Sequence, residues 1–388
     1  MVTESQVTND DFKDDYSEEE DFSPNIIDTS GIVVYSRDWT VETIISQLLQ
    51  GHIDINPKFQ RRNVWNDDKR SKLIDSILNG YPIPEIMLSE HPTRKKAYIV
   101  IDGKQRLMSL MGFIHPEQFS VWNNPNLVNL IHNPEINGLS YSDFDLNKQR
   151  ELYNSSIRCT IISNVKNTDF LYELFYRLNS GSVPLSMQEL RQALYHGGFS
   201  EYLFEITNVP DQSIHRVMRI KEPDNRLRDI EYILRIMAMI KNSHLYDGDL
   251  KSFLDKFMRD CNGNWATQED EIQNLYTDIC SAIDSLAELV NGHANVGRQR
   301  IENNFTRFNR VLFEVQVYCS YYLLSKSGVK IDSKQYISLL GKLCADADFS
   351  SSISSSTKDI NRYQIRYRKY LELIYTVSGI EIDDPFDR

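Results

Sequence analysis

The stretch AYIVIDGKQRLMSLMGF, residues 97–113, decides the fold of the first part of this chain. Ala97 to Ile101 is a short apolar run, which predicts a strand. From Lys104 to Phe113 the apolar residues recur at helical spacing, and Asp102-Gly103 lies between the two segments. The stretch therefore predicts a strand that passes through a glycine turn directly into the start of a helix.

This arrangement is typical of a site for anions. The first amides of a helix have no partner within the helix and point along the positive end of its dipole, so they can bind phosphate oxygens. Gly103 has no Cβ to obstruct the approach, and Lys104 and Arg106 add charged donors, Arg106 in a fork that matches two oxygens. We predict that the loop Ile101 to Arg106 grips a triphosphate. An ordinary Asp-Gly turn with solvated basic neighbours is the alternative.

The surrounding sequence predicts a small mixed α/β domain. Each element has an apolar pattern and a turn or capping residue beside it. The predicted elements are a helix from Thr40 to Gly51, a strand from Ile53 to Ile55, a helix from Asn66 to Gly80, strands from Glu85 to Leu88 and from Ala97 to Ile101, a long loop from Asn123 to Asp145, and a last strand from Ile157 to Ile162.

A set of motifs around the loop resembles a known family. The motifs are Asn56-Pro57, Gln60-Arg61, Trp65, Ser71, Leu73-Ile74, Ser76-Ile77, Gly80, Pro82-Ile83-Pro84 and Ile101 to Leu107. Together they resemble the N-terminal domain of GmrSD-type restriction proteins, also called domain of unknown function 262, which belongs with the ParB and sulfiredoxin-like folds. The family's hallmark is DGQQR, and residues 102–106 are DGKQR. The departure, Lys104, keeps the loop positively charged.

A second signature of that family is similar to residues 177–191, in which an N-S-G turn precedes P-L-S and a helix. Ser186 and Glu189 have the spacing of a capping box, and Asn179 suits a left-handed turn after the helix Asp169 to Leu178. A structural corner explains these caps. Participation of Asn179 and Ser180 in the site is the other interpretation, and both stay open.

Beyond residue 165 the pattern becomes helical, which predicts an α+β protein whose second domain is all-helical. We expect a ParB/sulfiredoxin-like domain over 31–165 and a helical domain over 166–388. The helical segments lie around 226–237, 269–296, 299–325, 333–346 and 358–378. In the first of them, Arg228, Asp229, Glu231 and Arg235 form either interhelical ion pairs or part of a cleft facing the nucleotide.

Charge and composition limit the class of protein. Residues 1–30 hold ten acidic side chains and one lysine, so most of the net charge of −12 lies in a tail that we expect to be disordered. This tail is a solubilising leader or a polyphosphate mimic. The five cysteines are widely spaced and unpaired in sequence, which favours core positions. With no apolar run of roughly 18–20 residues and no signal peptide, we expect a cytoplasmic protein.

The resemblance implies an NTP-hydrolysing sensor of a restriction or anti-phage defence system, acting with DNA, foreign or modified, and with a separate effector or nuclease subunit. The histidines form no cluster typical of an HNH nuclease, so we predict no complete nuclease in this chain. A homo-oligomer stays open. Catalytic roles fall to Asp102, Gln105 and Gln60, which position a water or Mg²⁺; the nucleotide is bound by Gly103, Lys104, Arg106, Arg61, Asn179 and Ser180.

A second hypothesis needs no nucleotide. A rim of basic residues beside the loop would bind the DNA backbone, and the protein would be a non-hydrolysing adaptor or scaffold. The rim consists of Arg61, Arg62, Lys69, Arg70, Lys72, Arg94, Lys95 and Lys96. A third hypothesis is a ParB-like nuclease that acts from the region of Gln60 and Arg61.

Overall fold

The structure, a computed structural model, describes residues 29–55, 65–91, 94–119, 122–165, 168–178, 186–302, 304–324, 330–354 and 359–386. These residues form two units that divide between Leu194 and Tyr195. The acidic tail up to residue 28, the Gln60-Arg61 segment and the Asn179-Ser180 turn lie outside the described residues.

The first unit is built on a five-stranded mixed sheet, which confirms the α+β class. The strands are β1 (Val33–Thr40), β2 (Ile53–Asp54), β3 (Ile86–Glu90), β4 (Tyr98–Asp102) and β5 (Ser156–Ser163), in the spatial order β1-β5-β3-β4-β2. The pairs β1/β5 and β3/β4 are antiparallel, whereas β3/β5 and β2/β4 are parallel. Because β3 and β4 are antiparallel neighbours, β3 begins at the edge of the sheet where β4 ends.

The first unit contains six helices in the described residues, of which the helix Leu146–Asn154 was not predicted from the sequence. The helices are α1 (Val41–Leu49), α2 (Asp67–Leu78), α3 (Lys104–Ile114), α4 (Leu146–Asn154), α5 (Thr168–Leu178) and α6 (Met187–Leu194). The Asn66 side chain accepts a hydrogen bond from the Lys69 amide at 3.0 Å, which confirms it as the cap of α2. Gly80 follows α2 with a positive φ of 68°, as a helix stop requires.

Helices α5 and α6 pack on the sheet, although the change of pattern at residue 165 assigns them to the second domain. Both contact β4, and Leu171 and Leu190 are fully buried. A helical period in the sequence shows that a segment is helical, but it does not show which core the apolar face joins. The division after Leu194 is therefore later in the chain than the predicted boundary.

The second unit is mostly helical but contains one hairpin. Its helices are α7 (Gly198–Thr207), α8 (Ser213–Met218), α9 (Arg228–Asn242), α10 (Leu250–Gly263), α11 (Trp265–Leu289), α12 (Arg310–Leu324), α13 (Ser333–Ala345), α14 (Ala347–Ser354) and α15 (Ile360–Ser378). Strands β6 (Arg298–Ile301) and β7 (Asn304–Phe308) pair antiparallel. The hairpin departs from the helix predicted around 299–325, which begins only at Arg310. No helix in the described part of the chain is both long and apolar enough to cross a membrane.

The polar residues at the start of α9 form ion pairs inside this unit. Arg228 lies 2.6 Å from the Asp224 carboxylate, and Arg235 lies 3.0 Å from the Glu314 carboxylate. Asp229 is fully buried, 3.1 Å from His215. Of the two interpretations left open by the sequence, these contacts favour ion pairs.

Four of the five cysteines are buried, and Cys280 is partly buried. Burial, together with the nearby charges of Asp38 and Glu85, raises the pKa of the Cys159 thiol to about 12. These side chains are core residues, as their spacing indicates.

An aromatic cluster closes the core of the first unit, and it supplies a test of the fold. The Phe113 ring, which is fully buried, lies 5.8 Å from Trp122 and 5.6 Å from Phe144. We expect Phe113→Ala to lower the free energy of unfolding by about 3–5 kcal/mol, because it leaves a large cavity. Tyr81, which is 57% exposed, is the matched control, and Tyr81→Ala should change stability by less than about 0.5 kcal/mol. Urea unfolding measures both, and equal losses would contradict this core.

Candidate functional site

In the predicted loop, a helix begins directly after a glycine in the left-handed conformation. Strand β4 ends at Asp102, Gly103 has a φ of 97°, and α3 begins at Lys104. The Gly103 amide donates to Asp102 Oδ1 at 2.7 Å. A Cβ on Gly103 would lie 3.1 Å from Ile86 Cγ1 and 3.3 Å from Arg106 Nη2. Glycine is therefore required by the chain's own packing, before any ligand is considered.

The Arg106 side chain is buried in the first unit. Its Nη2 group donates to Asp102 Oδ2 at 2.8 Å and to the Glu85 carbonyl at 2.9 Å, and the residue is 6% exposed. The Nε atom is buried and has no hydrogen-bond partner in the described part of the chain. The Nη2 group thus ties the first turn of α3 to the Asp102 side chain at the end of β4 and to the Glu85 carbonyl before β3, and a phosphate that binds Nη2 would displace these acceptors.

Lys104 contacts a residue of the second signature. Its Nζ atom lies 3.5 Å from Glu189 Oε1, and the two side chains are 17% and 7% exposed. Glu189 Oε2 accepts a hydrogen bond from the Ser186 amide at 2.6 Å, which confirms the predicted capping box at the start of α6. The sequence indicated this cap, but it gave no sign that Glu189 reaches the loop.

Gln105 connects the loop to the chain before α2. Its Oε1 atom accepts a hydrogen bond from the Trp65 amide at 3.4 Å. Trp65 follows the Gln60-Arg61 segment closely in sequence, and the contact places Trp65 itself beside the loop.

Glu85 is a site residue that sequence reasoning missed. Its carbonyl is held by Arg106, and its Oε2 atom accepts a hydrogen bond from Thr160 Oγ1 at 2.6 Å. Thr160 Oγ1 is also 2.9 Å from Ser36 Oγ on the next strand. The available signal was positional: Glu85 directly precedes β3, whose first residues lie beside the end of β4.

The loop offers one carboxylate, Asp102, to a metal ion that would be held mainly by the phosphates of a substrate. Among the described residues no group of three or more histidine, cysteine or acidic side chains could hold an ion. Mg²⁺ is commonly bound by one or two carboxylates together with substrate phosphates and water. Asp102, whose side chain is 36% exposed, is the carboxylate at the helix start that could take this role.

The basic rim of the second hypothesis is smaller than its sequence indicates. Arg70 is 6% exposed, bonds to Asp67 at 2.9 Å and lies 5.6 Å from the centre of the Trp122 ring. Lys72 is paired with Asp68 at 2.8 Å. Lys69, Arg94, Lys95 and Lys96 are exposed, whereas Arg61 and Arg62 lie outside the described residues.

The fold and the loop define a small mixed α/β domain in which a strand passes through a left-handed glycine into a helix start beside a lysine. Residues 41–196 match the family model of the GmrSD restriction endonuclease, N-terminal domain. This segment is therefore similar to the N-terminal domain of GmrSD restriction endonucleases. Comparison with curated proteins and with solved structures gave no match.

The crowding around Gly103 can be tested against a second glycine. Gly138 also has a positive φ, 83°, but a Cβ there would have no atom within 4 Å. Gly138→Ala should cost about 1–2 kcal/mol for backbone strain alone. We expect Gly103→Ala to cost more, because Ile86 must also shift. Urea unfolding of both variants checks this, and an equal cost would show that the space beside Gly103 does not matter.

Arg106 gives a second test of the loop. Arg106→Ala should lower the free energy of unfolding by about 1–3 kcal/mol, because it leaves partly buried acceptors without their charged donor. The control is Arg158→Ala, which breaks an exposed pair with Asp38 and should cost at most about 1 kcal/mol. If thermal unfolding shows an unchanged Arg106 variant, the guanidinium does not hold this loop.

Proposed function

We propose that the first unit is a nucleotide-binding switch that hydrolyses a nucleoside triphosphate for a DNA restriction or anti-phage defence system. The observation that carries the proposal is the β4–Gly103–α3 turn with Lys104 beside it, inside a GmrSD-type domain. Free amides at a helix start favour phosphate oxygens. The switch would act on DNA and license cleavage by a separate effector.

The residues divide into two roles. The amides at the start of α3 and the Lys104 ammonium bind phosphate oxygens, while Arg106 acts as a positioning residue that fixes Asp102 and the helix start. A direct contact between Arg106 Nη2 and a phosphate would replace the bond of Nη2 to Asp102. Asp102 and Gln105 would orient a water or Mg²⁺. A bound Mg²⁺ would neutralise charge that develops on the transferred phosphoryl group.

Four further residues are assigned to the site by resemblance. Gln60 and Arg61 would close over the phosphates, and Asn179 and Ser180 would complete the nucleotide site from the second signature. The Trp65–Gln105 contact supports the first pair, because it ties the chain next to Gln60-Arg61 to the loop.

The DNA-binding adaptor is the second candidate function. The exposed Lys69, Arg94, Lys95 and Lys96 support it, since exposed cations attract the DNA backbone. The buried Arg70 and the paired Lys72 count against it, because neither offers a free charge. We therefore favour the nucleotide switch, in which DNA changes the rate of nucleotide hydrolysis.

A screen of ATP, GTP, CTP and UTP with Mg²⁺, with and without DNA, tests the proposal. We expect binding and hydrolysis of at least one nucleotide. Lys104→Met should weaken binding by about 10- to 100-fold, the loss of a charge-assisted contact worth roughly 1.5–3 kcal/mol. Lys69→Met, which removes an exposed lysine of α2, is the control and should leave nucleotide affinity unchanged.

Two results would contradict the nucleotide switch. One is a folded wild-type protein that binds none of the four nucleotides; the other is equal affinity in the Lys104 and Lys69 variants. DNA binding measured across a salt series then tests the adaptor function. If the protein binds the DNA backbone, its affinity for DNA falls steeply as the salt concentration rises.

A further inference from the structure

Glu189 holds two groups at once. Its Oε2 atom accepts the Ser186 amide at 2.6 Å, while its Oε1 atom lies 3.5 Å from the Lys104 ammonium. The Glu189 amide in turn donates to Ser186 Oγ at 3.1 Å. The Glu189 side chain is only 7% exposed. Nearby donors and cations, rather than water, therefore stabilise its negative charge. One carboxylate thus joins the loop to the cap of α6.

Helix α6 has a special place in the chain. It spans Met187–Leu194 and is the last helix of the first unit, and Tyr195 begins the second unit. Any change in the stability of α6 therefore acts on the segment that covalently connects the two units.

A phosphate at the loop would compete with Glu189 for Lys104. An ammonium shared by two anions lies nearer to the one that carries more charge, and a triphosphate carries more charge than one carboxylate. When Lys104 turns to the phosphate, the Glu189 carboxylate loses a cation while it stays largely buried. A largely buried carboxylate that has lost a cation is less stable, so the folded first turn of α6 loses stability and opens more often.

We propose that phosphate occupancy of the loop is transmitted to helix α6 through Glu189, which acts as a positioning residue for Lys104. This inference rests on the nucleotide binding proposed above. It adds the element that receives the signal and the route by which the signal leaves the loop.

Hydrogen exchange of the full chain measures the effect directly. Exchange over residues 187–194 is followed without ligand, with Mg²⁺ and the tightest-binding of the four nucleotides, and with inorganic tripolyphosphate. In the wild-type protein either ligand should raise exchange in the first turn of α6 about twofold to fivefold, the size of a partly exposed ion pair's contribution.

The decisive variant is Glu189→Gln. Glutamine keeps the capping box, because S-x-x-Q caps a helix as S-x-x-E does, but it carries no charge to hold Lys104. The ligand-dependent change at α6 should disappear while the nucleotide still binds. Asp143→Asn is the matched control: it neutralises another capping carboxylate, which accepts from Ser140, and should respond as the wild type does.

The outcomes separate this inference from the proposed function. If the nucleotide binds and exchange at α6 is unchanged or falls, transmission through Glu189 is overturned and the nucleotide site stands. The same holds if Glu189→Gln keeps the full response. If neither a nucleotide nor tripolyphosphate binds, both proposals are overturned together.

Discussion

The loop depends on one buried guanidinium. Arg106 joins the Asp102 side chain, at the end of β4, to the Glu85 carbonyl, at the start of β3. A Cβ on Gly103 would approach the Arg106 Nη2 atom to 3.3 Å, so a side chain at position 103 would crowd the arginine. This brace fixes the start of α3 before any ligand binds. A preorganised set of helix amides binds an anion without the cost of ordering a loop.

Local features of this fold could be predicted from the sequence, because caps and turns are encoded within a few residues. The Asn66 cap, the Ser186–Glu189 capping box and the Gly103 turn are of this kind. Contacts across the sheet could not be predicted in the same way. The hydrogen bond between Glu85 and Thr160 depends on the register of β3 against β5, and a single sequence does not show which strands are neighbours.

The differences between the predicted and the observed elements have the same physical origin. The sequence of β6 and β7 predicts the beginning of a helix, because arginine and isoleucine also fit helices, whereas the segment forms a hairpin. In the structure Arg300 lies 4.9 Å from the centre of the Phe305 ring on the opposite strand, and such cross-strand pairs stabilise a hairpin. Likewise, α5 and α6 were recognised as helices, but their packing on β4 is a tertiary choice.

The charges of the loop bear on what it would bind. Without a ligand, Arg106 is paired with Asp102 and Lys104 lies beside Glu189, so its two cations already face carboxylates. Binding of phosphate at these cations is therefore an exchange, and its free energy is the difference between two sets of ion pairs. A single phosphodiester carries one charge and gains little by replacing a carboxylate, whereas a triphosphate with Mg²⁺ brings several oxygens and its own cation. Under the proposed function, this balance favours a nucleotide over the DNA backbone at the loop.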